Sequence, residues 1–527
     1  MDQNSNRRQM RWWIPATLIV LGGGSAAYCW FREVTFVEPI LIGIGLLTTL
    51  LLCLWYVFFT GLRWRTRWIL VLIGAGVLAG LYFGVTGLTR VEGSIGGSGI
   101  PRLVWKWSPR QEGAAAPLVL EAATAPTNQP AGTVLPRGAD FPQFLGPDRS
   151  GVLSDIPLRR DWEGSPPKAL WRQPIGLGWS AFAVSGRHAI TQEQRREDEL
   201  IVCYELQTGH GLWAHTNHVR FNESMGGDGP RATPTIHQGR VYAMGATGIL
   251  DCLEEATGRL IWTRDTLREN HLSNLSWGKS CSPLLAHDLV IVTGGNEREK
   301  ALLAYEAATG KPVWQAGRDQ ASYCSPMLAS VDGVEQILMV NAHSVTGHNP
   351  NSGEVLWEYP WPDEFAKATQ PMVVDTNRVF IAAGYGVGCV MLKVDRSAAG
   401  GWSAVPLWKN RDLKPKLTNL VRRGQYVYGL DDGVLACLNL EQGKRKWKEG
   451  RYGHGQILLV NDLLLVQAES GDVVLVEISP EKPRERARFP AIRGKTWNNP
   501  ALLGDLLLVR NDREAACYRL PLNASQP

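Results

Sequence analysis

Three apolar runs open the chain: Trp12 to Phe31, Pro39 to Thr60 and Trp68 to Leu88, each about twenty residues with almost no charge. At about 1.5 Å of rise per residue such a run crosses the ~30 Å hydrocarbon core of a bilayer, so residues 1–88 are predicted to form three transmembrane helices, about 12–31, 39–60 and 68–88. The first run is interrupted by Gly22-Gly23-Gly24-Ser25 and preceded by Arg7, Arg8 and Arg11, as a signal peptide would be; cleavage there would leave two spans. Beyond residue 140 the pattern changes to short β-rich runs, such as "RVYAMG", "LVIVTG", "RVFIAAG" and "YVYGL", separated by turn residues. These predict strands.

The strands recur in a fixed frame. "ELQTGHGLW" (205–213), "EEATGRLIW" (254–262), "EAATGKPVW" (306–314), "NPNSGEVLW" (349–357) and "NLEQGKRKW" (439–447) each place a Trp four residues after a Gly. Trp171, Trp213, Trp262, Trp314, Trp357, Trp408 and Trp447 follow one another at intervals of 39 to 52 residues, the signature of one supersecondary unit repeated. Each unit opens near a Pro (234, 283, 326, 371, 500) and continues with a second strand. A third strand has a small residue six before the Gly (Cys203, Cys252, Ala304, Gly347, Cys437), and a Trp-bearing fourth strand ends the unit. Four short antiparallel strands per unit predict a β-propeller. In that frame the Gly supplies a positive-φ turn position, and the Trp covers the neighbouring blade.

Seven units end at Trp213, Trp262, Trp314, Trp357, Trp408, Trp447 and, in degraded form, near Arg488. The final "NNPALLGDLLLVRNDREAACYRLPL" supplies three strands with Cys517 in the small-residue position and no Trp; "KALWRQPIG" (168–176) can supply the fourth and close the ring. The expected fold is therefore all-β: an eight-bladed propeller over 141–527, with seven blades as the competing count. It is joined to the membrane anchor by a Pro/Ala-rich flexible linker over 89–140. The opening "FPQFLGPDRSG" (141–151) predicts a turn docked on the domain. Two units are irregular: Leu392 to Trp408 carries the insertion "RSAAGGWSAVP", and Leu475 to Arg488 has no Trp. The missing Trp leaves one blade junction without its staple, which marks that junction as the expected docking site for a protein partner.

Charge sets the orientation. Arg7, Arg8 and Arg11 precede the first span and Arg63, Arg65 and Arg67 join the second to the third, while Arg32 in the intervening loop is offset by Glu33 and Glu38. The positive-inside rule puts the N-terminus in the cytoplasm and the propeller in the periplasm of a bacterium, anchored in the inner membrane with the lipid bilayer as one partner. Net charge is only +5 over 527 residues, and the second half has no Lys/Arg block, which excludes nucleic acid as a partner. Cysteines 203, 252, 281, 324, 389, 437 and 517 are an odd number at small strand positions and read as packing thiols. No Cys/His spacing matches a zinc site and no oxygen-rich cation loop is present, so no metal ligand and no catalytic residue is assigned.

The Thr-Gly-x-x-x-Trp phrase in four-stranded units resembles the pyrroloquinoline quinone (PQQ) repeat of β-propellers. This fold is shared by quinoprotein alcohol and glucose dehydrogenases and by BamB-like lipoproteins of outer-membrane assembly, and the likeness covers roughly residues 140–520. The resemblance implies the fold rather than the cofactor. Alcohol-oxidising members hold the quinone against a disulfide of adjacent cysteines, with Ca²⁺ and an Asp beside it, and no Cys-Cys pair occurs here. Glucose-oxidising members lack that pair but carry five spans.

Propeller chemistry lies at the channel mouth, where the residues before each innermost strand converge: Ser180, Arg231, Lys279, Tyr323, Thr369, Lys416, His454 and Asn498, with Trp179, Trp277 and Trp497 nearby. Arg231, Trp277, Lys279, Lys416, His454, Trp497 and Asn498 form the candidate cofactor set, since cations and indoles together could hold an anionic aromatic such as PQQ. Carboxylates for Ca²⁺ are scarce, Glu223 and Asp228 being nearest, and the competing reading is that these residues cap strands or line a hydrated channel. The expected function is a non-catalytic, membrane-tethered scaffold for a protein partner. The alternatives are a PQQ- and Ca²⁺-dependent dehydrogenase of an alcohol or sugar, and a small-ligand sensor.

Overall fold

A computed structural model describes residues 12–31, 37–59, 62–95, 100–108, 118–120, 140–297, 299–361 and 365–523. Arg7, Arg8, Arg11, Arg32, Glu33 and most of the expected linker (109–117 and 121–139) lie outside them. The chain divides into two compact units, 1–109 with 224–226, and 110–223 with 227–527.

The first unit contains the helices Trp13–Phe31, Val37–Phe59 and Trp64–Leu88. Two have the length and apolarity of a membrane span, Pro39–Phe59 with 21 residues and Trp64–Leu88 with 25; the first helix offers only the shorter apolar run Trp13–Cys29. At about 1.5 Å per residue the first run falls short of the ~30 Å core that the other two cross, so the expected three spans reduce to two helices that meet the requirement. A second difference concerns the linker. Thr89–Ile95 and Ile100–Trp105 pair as an antiparallel hairpin where a flexible tether was expected.

The second unit is an eight-bladed propeller of four-stranded antiparallel blades over 183–217, 235–265, 284–316, 327–360, 372–410, 421–451, 456–490 and 501–519. Lys168–Pro174 pairs with Glu514–Arg519 as the outer strand of blade eight, so first and last segments share one sheet and the ring has no free closing edge. In register, the small residue of the third strand lies directly opposite the Trp: Cys203 with Trp213, Cys252 with Trp262, Ala304 with Trp314, Gly347 with Trp357, Cys437 with Trp447 and Cys517 with Trp171. Those four cysteines and Cys281, Cys324 and Cys389 are buried, unpaired thiols.

Six of the seven repeat indoles reach the next blade. The Nε1 of Trp171, Trp213, Trp262, Trp314, Trp408 and Trp447 donates to the carbonyls of Leu206, Glu255, Ala307, Pro350, Leu440 and Ser479, at 2.9–3.2 Å. The ring lies on the glycine of the following turn: a Cβ on Gly310 would stand 2.6 Å from Trp262, and Gly209, Gly258, Gly353 and Gly443 lie in the same way under Trp171, Trp213, Trp314 and Trp408. The charged start of the phrase organises that turn. Glu205 Oε2 accepts from the amides of Gln207 and Thr208, and Glu254 accepts from the Thr257 hydroxyl.

The two irregular units are filled differently, one by its own insertion and one by a distant segment of the chain. At the four–five junction no turn glycine receives Trp357, whose Nε1 donates instead to Gln336 in its own blade at 2.7 Å; Trp402 and Ala404 of the insertion pack into the same cluster. In blade seven Ala487 occupies the Trp position, opposite Leu475. The repeat Trp that the sequence lacks at this junction is replaced by another indole. Trp162, only 4% exposed, comes from the segment before blade eight's outer strand and packs edge-on against Phe489 at 5.5 Å, and Phe489 contacts Tyr518 of blade eight at 4.9 Å.

Candidate functional site

The residues that precede the innermost strands form a hydrogen-bonded seam from blade to blade. Ala181 N donates to Thr233 Oγ1, Thr233 N to Ser282 Oγ, and Ser282 N to Ser325 Oγ. Cys324 Sγ meets Thr369 O at 3.4 Å, Thr369 Oγ1 donates to Thr418 O, and Thr418 Oγ1 to Gly455 O. Gln456 Nε2 then donates to Trp497 O, and Asn498 Nδ2 to Ser180 O at 2.8 Å. Ser180, Thr369 and Asn498 thus close the ring, and each is buried.

Two candidate cations are turned inward. The buried Lys279 donates to Thr293 O at 2.6 Å, to Thr293 Oγ1 at 2.9 Å and to Gly294 O, which accounts for its three ammonium protons. Burial lowers its pKa to about 8. Arg231 donates to the carbonyls of Gly227 and Gly229 and stacks over Phe221 at 4.4 Å; burial lowers its pKa to about 10, against the opposing pull of Glu223, Glu199 and Asp228. Arg231 thus binds its own loop, and Lys279 the end of the second strand of its blade.

The remaining candidates fall into two groups of aromatic rings. Trp277 lies 5.2 Å from Tyr323 and 6.5 Å from Tyr385, and Phe365 stacks on Tyr385 at 5.8 Å. Lys416 stands 5.4 Å over the Tyr385 ring and 3.5 Å from Asp432. In the second group Trp179 and Trp497 lie 5.0 Å apart with Lys495 over both, and Glu469 accepts from Trp497 Nε1 and from the backbone N–H of His454. Burial and the nearby Lys416 lower the His454 pKa, which favours the neutral ring. Glu469 and Tyr385 escaped the sequence reading because they lie in loops between second and third strands, and Phe365 and Lys495 because they lie upstream of the positions read before the innermost strands of blades five and eight. Only their positions in loops of the same face, which no local pattern encodes, bring them to the group.

The segment 141–153 docks across the inner strands. Phe141 exchanges backbone hydrogen bonds with Val184 of blade one, Pro142 O accepts from Ile236 N of blade two, and Gly151 O accepts from Leu459 N of blade seven. Arg149, 4% exposed, donates to Ser282 O at 3.0 Å and Pro283 O at 2.9 Å of blade three. Val152–Leu153 adds a parallel strand inside blade seven.

Lys279, one of the candidate cofactor residues, has no ammonium proton left for an anionic ligand. Among the described residues no three His, Cys, Asp or Glu side chains group to hold a metal. What fold and site define is a closed eight-bladed propeller of tryptophan-docking repeats with a hydrogen-bonded inner seam. A PQQ-repeat family model described as outer membrane protein assembly factor BamB matches residues 168–449, and the chain belongs to that family. It is similar to BamB of Yersinia pestis, with 24% identity over 50% of this chain and 65% of that protein, and to BamB of Escherichia coli K12, with 26% identity over 38% and 51%. The matches thus span less than two thirds of these relatives. Among solved structures a europium-containing methanol dehydrogenase superposes with a TM-score of 0.54 at 10% identity, covering 72% of this chain and 98% of that one, which is a likeness of fold alone.

Proposed function

We propose that this chain is a propeller anchored in the bacterial inner membrane, with the connection between its two spanning helices on the cytoplasmic side, that holds another protein on the periplasmic side and transforms no substrate. The observation that carries this reading is that the interior is taken up by the chain itself. Lys279 and Arg231 bind their own backbone, and Arg149 and its segment bridge blades one, two, three and seven. Outer strands, in contrast, present apolar side chains to solvent: Val313 is 50% exposed, Val405 48% and Leu407 49%. The BamB relatives are named as assembly factors of outer membrane proteins, and the proposal extends that class of role to this chain. The arginines Arg63, Arg65 and Arg67 at the start of the helix Trp64–Leu88 support the orientation.

The test uses the full chain. Val405→Glu with Leu407→Glu should reduce co-purification of a crosslinked partner from membranes several-fold and leave the melting temperature within a degree or so of the parent, as exposed substitutions do. Incubation with PQQ and Ca²⁺ should leave the absorbance spectrum unchanged; stoichiometric quinone binding with dye reduction would replace the scaffold by a dehydrogenase. The Trp277, Tyr323, Tyr385 and Phe365 cluster favours a second reading, a sensor of a small aromatic or sugar ligand. A ligand that raises the melting temperature while PQQ does not would select it.

A further inference from the structure

The hairpin that follows the last helix has two unlike faces. Thr89–Ile95 continues directly from Trp64–Leu88, and Ile100–Trp105 returns beside it. Cross-strand partners share a face, so Thr89 with Trp105 and Val91 with Leu103 make up one side of the ribbon and Arg90 with Val104 the other. The first side is apolar and open: Val91 is 40% exposed, Leu103 49% and Trp105 51%. Trp107, 68% exposed, stacks on Trp105 at 5.0 Å with the planes 10° apart. Arg102 lies one position out of phase with Leu103 and is exposed on the charged side.

The ribbon is also tied to the end of the helix. Lys106 N donates to Leu88 O at 2.9 Å and Lys106 Nζ to Thr86 O at 2.9 Å, so the returning strand satisfies carbonyls that a helix end leaves without partners. Arg90 Nη1 donates to the carbonyls of Trp105 and Lys106, which locks the two strands together. The apolar side therefore begins where the spanning helix stops. A two-stranded ribbon with exposed indoles is marginal in water, whereas the headgroup boundary suits an element with one apolar, Trp-bearing side and one charged side, here Arg102 with the Arg90–Glu92 ion pair.

We infer that the hairpin Thr89–Trp105, with Trp107, is a lipid-docking element that lies in the outer headgroup region of the bilayer, its Val91, Leu103, Trp105 and Trp107 side toward the acyl chains. This rests on the reading of Trp64–Leu88 as a membrane span. The hairpin extends the membrane contact past Leu88, so the chain leaves the bilayer surface only after Trp107.

The inference is tested with the full chain in nanodiscs of phosphatidylcholine and phosphatidylglycerol, with Cys29 and Cys53 replaced by Ala and the seven buried thiols left unlabelled. Nitroxide labels at Leu81→Cys, Val91→Cys, Leu103→Cys and Arg102→Cys report accessibility to oxygen against a water-soluble nickel chelate. The ratio at positions 91 and 103 is expected to exceed that at 102 several-fold, with position 81 highest. Trp105→Ser with Trp107→Ser should bring position 103 to the value at 102 and leave 81 unchanged. Equal ratios at 103 and 102, with 81 still in lipid, would overturn the docking and leave the span standing. Nickel access at 81 would remove the span, and the docking with it.

Discussion

Gly310 forms the seat of Trp262: the indole of blade two lies across the turn of blade three so closely that a Cβ there would stand 2.6 Å from the ring, and Trp262 Nε1 donates to Ala307 O in the same turn at 3.0 Å. One glycine thus meets two demands, a φ of +73° and a clear surface for the neighbouring blade's Trp.

The two demands separate by substitution. Gly239 has the same φ of +73° with nothing within 4 Å of a built Cβ. Gly239→Ala should cost only the backbone term, about 1–2 kcal/mol, whereas Gly310→Ala should add about 1–3 kcal/mol for the displaced indole. Urea midpoints of the two variants measure the difference, and equal losses would mean that the Trp does not press on the turn.

Trp162 fills the junction at which the repeat lacks its own Trp. Trp162→Ala removes a side chain that is 4% exposed and packed against Phe489, and should cost about 3–5 kcal/mol, seen as a lowered melting temperature. A loss below about 1 kcal/mol would show that blades seven and eight hold together without it.

Glu199 gives a pH dependence of defined sign. It is 3% exposed, and burial raises its pKa from 4.5 to about 7 despite the hydrogen bond it accepts from Ala246 N. Between those values the folded state binds more protons than the unfolded one, so this group's contribution falls as pH rises from about 4.5 to 7, by on the order of 3 kcal/mol. Glu199→Gln removes that dependence. Denaturant midpoints at pH 5 and pH 8 should show the variant gaining on the parent at the higher pH, and a constant difference would place the titration elsewhere.

Arg149 pins the segment 141–153. Arg149→Met keeps the aliphatic length but loses two charged hydrogen bonds to the Ser282 and Pro283 carbonyls, each worth about 1.5–3 kcal/mol. Amide exchange in 141–153 should accelerate by an order of magnitude or more while blade five stays protected. Unchanged exchange would assign the docking to Phe141 and Leu145, both buried, instead.

The repeating part of the molecule was legible in the sequence because every unit solves the same local problem. A positive-φ turn needs Gly, a third strand under an indole needs a small residue, and "EAATGKPVW" states both within nine residues. Closure by Lys168–Pro174 was legible for a related reason: a three-stranded end requires a fourth strand, and Trp171 identified it. The destinations of long polar side chains were not legible. Lys279 stands where an anionic ligand could be met, but the Thr293 and Gly294 carbonyls and the Thr293 hydroxyl take up its three protons, and Arg231 is turned onto the Gly227 and Gly229 carbonyls of its own loop. Trp162 replaces a missing Trp from more than three hundred residues away in the chain, a contact that no spacing rule contains. The sequence by itself determined the blades, since strands, turns and staples are local or adjacent-unit properties. Only the tertiary structure decided what the mouth, the inner segment and the weak junctions hold, because hydrogen-bond partners and packing neighbours there come from distant blades.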